Sequence, residues 1–168
     1  MTLTARALCY LCLPAVMFTA SLSLAHASTC RDVSDEIVKT ATSELLQDVA
    51  KNDPQLAELD EKTLVLEGGK KLLEAPQPDF KARGWMMLLW YGGKTGQEIV
   101  AKSAEGLTTE EDRAHLYFVM GLFQLGSPKA ETAAGGRNLL SQVKDTGKVT
   151  FVPDEMWALL LETCELPS

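Results

Sequence analysis

Trp85-Met86-Met87-Leu88-Leu89-Trp90-Tyr91 is the stretch that decides the fold class. Seven consecutive apolar or aromatic residues cannot share one face of a helix, so a helix here must be covered on most sides. The flanks frame it as a helix. Asp79 stands upstream as a cap, and Gly92-Gly93-Lys94-Thr95-Gly96 reads as the C-cap and turn that end it. A second run of the same kind follows at Leu116-Tyr117-Phe118-Val119-Met120-Gly121-Leu122-Phe123. Thr108 lies three residues before Glu111 ahead of it, the spacing of a capping box.

Outward from these two runs the chain continues in helical periods. Val33, Ile37, Ala41, Leu45 and Val49 recur every four residues from Ser34 onward, and Asn52-Asp53-Pro54 ends that helix, with Asp53 able to cap the next. Leu56, Leu59, Leu64, Val65 and Leu66 form a further helical stretch, interrupted at Gly68-Gly69. A short helix over Lys70 to Glu74 then runs into the loop Ala75-Pro76-Gln77-Pro78. Gln97 to Ala104 is a return helix. Ser127 caps and Pro128 opens a helix over 129–143 that Gly135-Gly136 weakens in its middle. Pro153 opens a last helix, in which Trp157, Leu160, Leu161 and Cys164 follow an i, i+3, i+4, i+7 stripe. No segment alternates as a strand does. The expected fold is all-α, built from antiparallel helical hairpins as a bundle or short solenoid.

Residues 1–27 read as a cleaved export signal: one charge at Arg6, an apolar run, and Ala25-His26-Ala27 as the small-x-small cleavage pattern. The apolar run is short for a membrane span, which needs about 20 residues. The expectation is a single helical domain over 28–168, periplasmic or secreted, with no integral membrane segment. Cys9 and Cys12 leave with the signal, so their Cys-x-x-Cys spacing carries no redox meaning. Cys30 and Cys164 remain at opposite ends of that domain, and in an oxidising compartment an even pair reads as a disulfide. It would close a loop of 135 residues, for which the chain-entropy relation gives roughly 5 kcal/mol. Both cysteines continue apolar stripes, so the bridge would tie the terminal helices face to face.

Shifting the chain by 33 residues brings Trp85 onto Phe118, Met86 onto Val119, Met87 onto Met120, Leu89 onto Leu122, Trp90 onto Phe123 and Gly93 onto Gly126. Over about residues 80–144 this resembles TPR or Sel1-like helical repeats. Met120-Gly121 matches their Leu-Gly step, and Ala133 falls where the second helix carries a small residue. Leu88 stands where the first unit would carry glycine, Gln124 replaces the usual tyrosine, and no proline closes the second helix. The resemblance implies a protein that binds peptides or proteins through a helical face.

Chemistry is sparse. Without the signal, His115 is the only histidine, and no metal-ligand spacing accompanies it. Glu111 lies one turn before it, which reads first as a surface i, i+4 pair and alternatively as the oriented base of a small hydrolase. Gly93-Lys94-Thr95 lacks the first glycine and the upstream strand of a phosphate loop. The acidic clusters at Glu110-Glu111-Asp112 and Asp154-Glu155 sit at helix starts, where the dipole stabilises them. No catalytic residue, metal ligand or cofactor site is read.

The whole chain carries 16 Lys+Arg against 23 Asp+Glu, a balance that argues against nucleic acid as a partner. The expectation is a non-enzymatic exported interaction module, an adaptor, scaffold or assembly factor. Its partner would be another protein or peptide, a second copy of the chain included. The contacts would lie in the glycine-rich turns, at Tyr91, Gly92, Gly93, Lys94, Gly126 and Lys129. In layout alone (signal, small helical domain, disulfide) the chain is similar to the immunity proteins of type VI secretion amidases. An inhibitor of a toxin aimed at the cell wall is therefore an alternative.

Overall fold

A computed structural model describes residues 29–166. The export signal read over 1–27, with Cys9, Cys12 and His26, lies outside the described residues, as does the side chain of Val49. The described elements are α1 (Cys30–Asn52), α2 (Pro54–Ala57), α3 (Glu61–Leu73), α4 (Pro78–Tyr91), α5 (Gly93–Ala104), α6 (Glu110–Leu125), α7 (Ala130–Lys144) and α8 (Asp154–Cys164). Among the described residues every regular element is a helix.

Local chemistry sets the helix starts, in several places one or more residues away from the sequence reading. α1 begins at Cys30 rather than Ser34, because Thr29 and Asp32 form a reciprocal capping box. The Asp32 amide donates to the Thr29 hydroxyl at 3.2 Å, and the Thr29 amide donates to the Asp32 carboxylate at 2.9 Å. Asp53 caps α2 as read, accepting from the Gln55 amide at 3.0 Å. Asp79 does not cap α4: Gln77 is the N-cap, Pro78 takes the first turn, and the Asp79 carboxylate is used elsewhere. α6 is capped by Thr109, whose hydroxyl accepts from the Asp112 amide at 3.0 Å, and not by Thr108. α7 starts at Ala130, because Ser127 accepts from the Lys129 amide in a turn that delays the helix.

Neither the glycine pair expected to interrupt a helix, Gly68-Gly69, nor the pair expected to weaken one, Gly135-Gly136, breaks the helix that holds it. α3 runs unbroken through Gly68-Gly69, and α7 runs unbroken through Gly135-Gly136. Each contains a glycine that lets two helices touch. A Cβ on Gly69 would lie 2.7 Å from Leu88 Cγ, and one on Gly84 would lie 2.9 Å from the Gly69 carbonyl oxygen. In the second hairpin a Cβ on Gly121 would lie 2.8 Å from Leu140 Cγ, and one on Gly136 would lie 2.7 Å from the Gly121 carbonyl oxygen. Tertiary packing outweighs the helix cost of glycine, about 1 kcal/mol per residue.

These contacts correspond residue by residue at a shift of 52. Gly69, Gly84 and Leu88 of α3–α4 become Gly121, Gly136 and Leu140 of α6–α7, and Leu73-Glu74-Ala75-Pro76 becomes Leu125-Gly126-Ser127-Pro128. The 33-residue shift seen in sequence pairs α4–α5 with α6–α7 instead, and there the close approaches do not match. α4 and α5 meet beside their turn, where a Cβ on Gly96 would clash with the Leu88 carbonyl oxygen. In contact terms, the repeated unit is the α3–α4 hairpin.

The helices α3, α4, α6 and α7 pack in that order as a row, with α5 against α4 and α3. α1 crosses α3, α4 and α6 and also packs on α8. Trp85, Met86, Met87 and Leu88 are each at most 1 % exposed, which meets the demand that their run be covered on most sides. On α8 the buried stripe is Met156, Leu160 and Cys164, while Leu161 is 39 % exposed. Cys30 and Cys164 form a disulfide with Cα atoms 5.0 Å apart, joining the start of α1 to the end of α8. Cys164 is buried and Cys30 half-buried. The row ends at α7, which packs extensively only on α6. Shifted by 52 residues, Met86 becomes Asn138, Leu89 becomes Ser141 and Trp90 becomes Gln142, the polar outer face that closes a stack of hairpins. No helix of the described residues is long and apolar enough to cross a membrane.

Candidate functional site

A groove opens between α6 and α7. It lies towards the start of α6 and the end of α7 and has a volume of about 220 Å³. Ala114 and Val143, both buried, form its floor, and Tyr117, 40 % exposed, stands at its side. Arg113, Glu110 and Lys148 make the charged rim.

The loop after α7 is tied down to complete this rim. The Thr146 hydroxyl donates to the Val143 carbonyl at 2.7 Å, and the Lys148 amide donates back to that hydroxyl at 3.2 Å. Gly147 adopts φ +63°, the left-handed region that favours glycine, so the loop can turn there. The Lys148 ammonium then reaches the Glu110 carboxylate at 2.5 Å across the mouth of the groove. That hydrogen bond, with the added charge of Lys148 and of Arg113, holds the Glu110 carboxyl below its usual range. Arg113 donates to the carbonyls of Thr109 at 3.3 Å and Thr108 at 3.4 Å. Tyr117 and Arg113 share one side of α6 because they are four residues apart.

His115 follows Ala114 on α6 and is 1 % exposed. Its Nδ1 is 2.8 Å from the Glu111 carbonyl oxygen, and its Nε2 is 2.9 Å from Asp79 Oδ1. The Glu111 carboxylate, the expected partner, is not what orients the ring: its own backbone carbonyl and the Asp79 side chain do so. Phe151 stacks on the imidazole with ring centroids 5.7 Å apart. Beside it Lys81 Nζ lies 2.8 Å from Asp112 Oδ2, a second link between α4 and α6. Burial pulls the His115 pKa down, but the Asp79 hydrogen bond, the Glu111 carbonyl and the charges of both acids outweigh it and leave it raised. With the ring itself buried and both of its nitrogens on acceptors, the imidazole presents no free lone pair to a substrate.

The turns read as contact points are brought to one end of the molecule. α4 and α6 finish side by side, with Trp90 and Phe123 rings 5.2 Å apart. Trp90 Nε1 donates to Asp35 Oδ1 on α1 at 3.0 Å, and Arg31 lies beside Gly126. Tyr91 is 47 % exposed, and Gly93, Lys94 and Lys129 are exposed as well. Gly92 is buried and Gly126 half-buried, which leaves them supports of this end and not parts of its outer surface. Gly92 alone separates α4 from α5, so Gly93-Lys94-Thr95-Gly96 is the first turn of a helix and not a loop. Sequence reasoning missed the α6–α7 groove entirely. The i, i+4 pair Arg113 and Tyr117 was a legible signal, but its facing wall comes from α7 and the following loop.

No family model matches the chain, and neither a curated protein nor a solved structure matches it. Among the described residues no group of three or more His, Cys, Asp or Glu is placed to hold a metal ion.

Proposed function

We propose that this chain is an exported helical module that binds another protein, and that the α6–α7 groove is its contact surface. The observation that carries the reading is Tyr117: a large aromatic side chain left 40 % exposed beside an apolar floor and a charged rim. Exposed aromatics next to charges are the residues that anchor protein interfaces, where Tyr and Arg are enriched. Two features support export. The first 27 residues have the pattern of a cleaved signal, and a Cys30–Cys164 disulfide ties the chain ends, as suits an oxidising compartment such as the periplasm or the exterior. The paired hairpins fit the same reading, because stacked helical hairpins, TPR-like repeats among them, present grooves to peptides.

The test is site-specific photo-crosslinking in the native cells, with a photoreactive phenylalanine analogue placed at Tyr117 or at Tyr91. The expected result is one adduct of discrete mass from position 117. An adduct only from position 91 would move the contact to the turn end of the molecule, and no adduct from either position would overturn the reading.

A further inference from the structure

The groove has a chemistry that narrows what it can hold. In a chain of formal net charge −7, its rim carries two cations, Arg113 and Lys148, against the single carboxylate of Glu110. That carboxylate and Lys148 offset each other as an ion pair, which leaves Arg113 as the net positive charge of the rim. Arg113 uses its guanidinium on two main-chain carbonyls at 3.3 and 3.4 Å, so most of its five N–H donors remain for a ligand. Between the cations lie Ala114 and Val143, with Tyr117 as an aromatic wall. A groove of about 220 Å³ is smaller than a typical drug-sized pocket of roughly 300–1,000 Å³. It fits one or two side chains of a peptide passing over it.

From this arrangement we propose that the groove binds an acidic peptide segment of a partner protein. An apolar side chain of the segment rests on Ala114 and Val143 against Tyr117, and a neighbouring carboxylate is held by the Arg113 guanidinium. The acidity of the whole chain does not oppose this, because at physiological salt its field is screened beyond about 8 Å, whereas Arg113 acts in contact. A polyanion such as nucleic acid, which must lie along a much longer acidic surface, is disfavoured by the same charges.

The proposal rests on the interaction reading above, and its test separates the two. A random twelve-residue peptide library displayed on phage is selected against the disulfide-bonded chain from residue 28 onward. The expected result is a consensus of an apolar or aromatic residue next to Asp or Glu. A fluorescein-labelled consensus peptide should then bind at least tenfold more weakly, by fluorescence anisotropy, to Tyr117→Ala and to Arg113→Glu. Tyr117→Phe and Arg113→Lys, which keep ring and charge, should bind it within about threefold of the parent, showing that the losses are not failures to fold. A basic consensus, no consensus, or equal binding to Tyr117→Ala and Arg113→Glu would each overturn the assignment. If the native-cell crosslink from position 117 still appears, the interaction module survives and only its ligand chemistry is wrong.

Discussion

His115 Nε2 lies 2.9 Å from Asp79 Oδ1, so the start of α4 is bonded to the first turns of α6 through a ring that solvent barely reaches. The other nitrogen meets the Glu111 carbonyl oxygen, which can only accept. A neutral imidazole offers one donor and one acceptor, and here both positions ask for donors. The folded chain therefore favours the doubly protonated ring, in agreement with its raised pKa.

The sign of the pH dependence follows from linkage. A folded-state pKa above the unfolded value, about 6.5 for histidine, means that the fold holds a proton that the unfolded chain releases. The contribution is complete below that unfolded value and is lost as pH rises through the raised folded value. The thermal midpoint of the parent should fall from pH 6 to pH 9, more steeply than that of His115→Phe, and Asp79→Asn should lower the ring's own titration point in NMR. A ring that titrates below the ordinary histidine range would refute this account.

Neighbouring glycines in α7 should respond with opposite signs. A Cβ at Gly136 meets backbone, the Gly121 carbonyl oxygen at 2.7 Å and the Leu125 nitrogen at 2.9 Å, so α6 and α7 must move apart. Gly136→Ala should destabilise by about 1–3 kcal/mol. At Gly135 the Cβ meets only the end of the Gln124 side chain, at 3.0 Å, which can swing away. Gly135→Ala should be neutral or stabilise by up to about 1 kcal/mol through helix propensity. Urea unfolding of the two variants reads the contrast directly, and Gly84→Ala should behave as Gly136→Ala does.

Removing the Cys30–Cys164 bridge should cost about 2–5 kcal/mol, the usual range for a long loop. The double variant Cys30→Ala with Cys164→Ala, compared with the oxidised parent in urea, measures it. Mass spectrometry without reduction should give a peptide joining the two cysteines.

The cap of α6 offers a fourth measurement. Thr109→Ala removes the hydroxyl that accepts the Asp112 amide and should cost about 1 kcal/mol. Thr108→Ala, one residue earlier and exposed, should leave the unfolding midpoint nearly unchanged. Equal losses at the two positions would mean that the helix starts where the capping-box spacing put it.

The two apolar runs at residues 85–91 and 116–123 were enough to read helices buried on most sides, because a continuous apolar run has no solvent face whatever its neighbours are. The pairing of Cys30 with Cys164 was legible for a similar reason: once the signal is set aside, only one pairing is available. The groove was not legible, because Ala114 and Tyr117 acquire meaning only when Val143 and Lys148 are folded against them.

Residue identity and spacing by themselves determined the all-helical class, the disulfide and the buried runs, since these depend on local periodicity and on counting. Tertiary structure alone decided the role of the glycines and the histidine. Gly69 and Gly136 would weaken isolated helices, and only the backbone of a facing helix turns the missing Cβ into a contact. His115 has Glu111 four residues away in sequence, yet the side chain it bonds is Asp79, thirty-six residues upstream. Helix spacing settles which residues share a face, while the choice of partner across that face follows from how the helices pack.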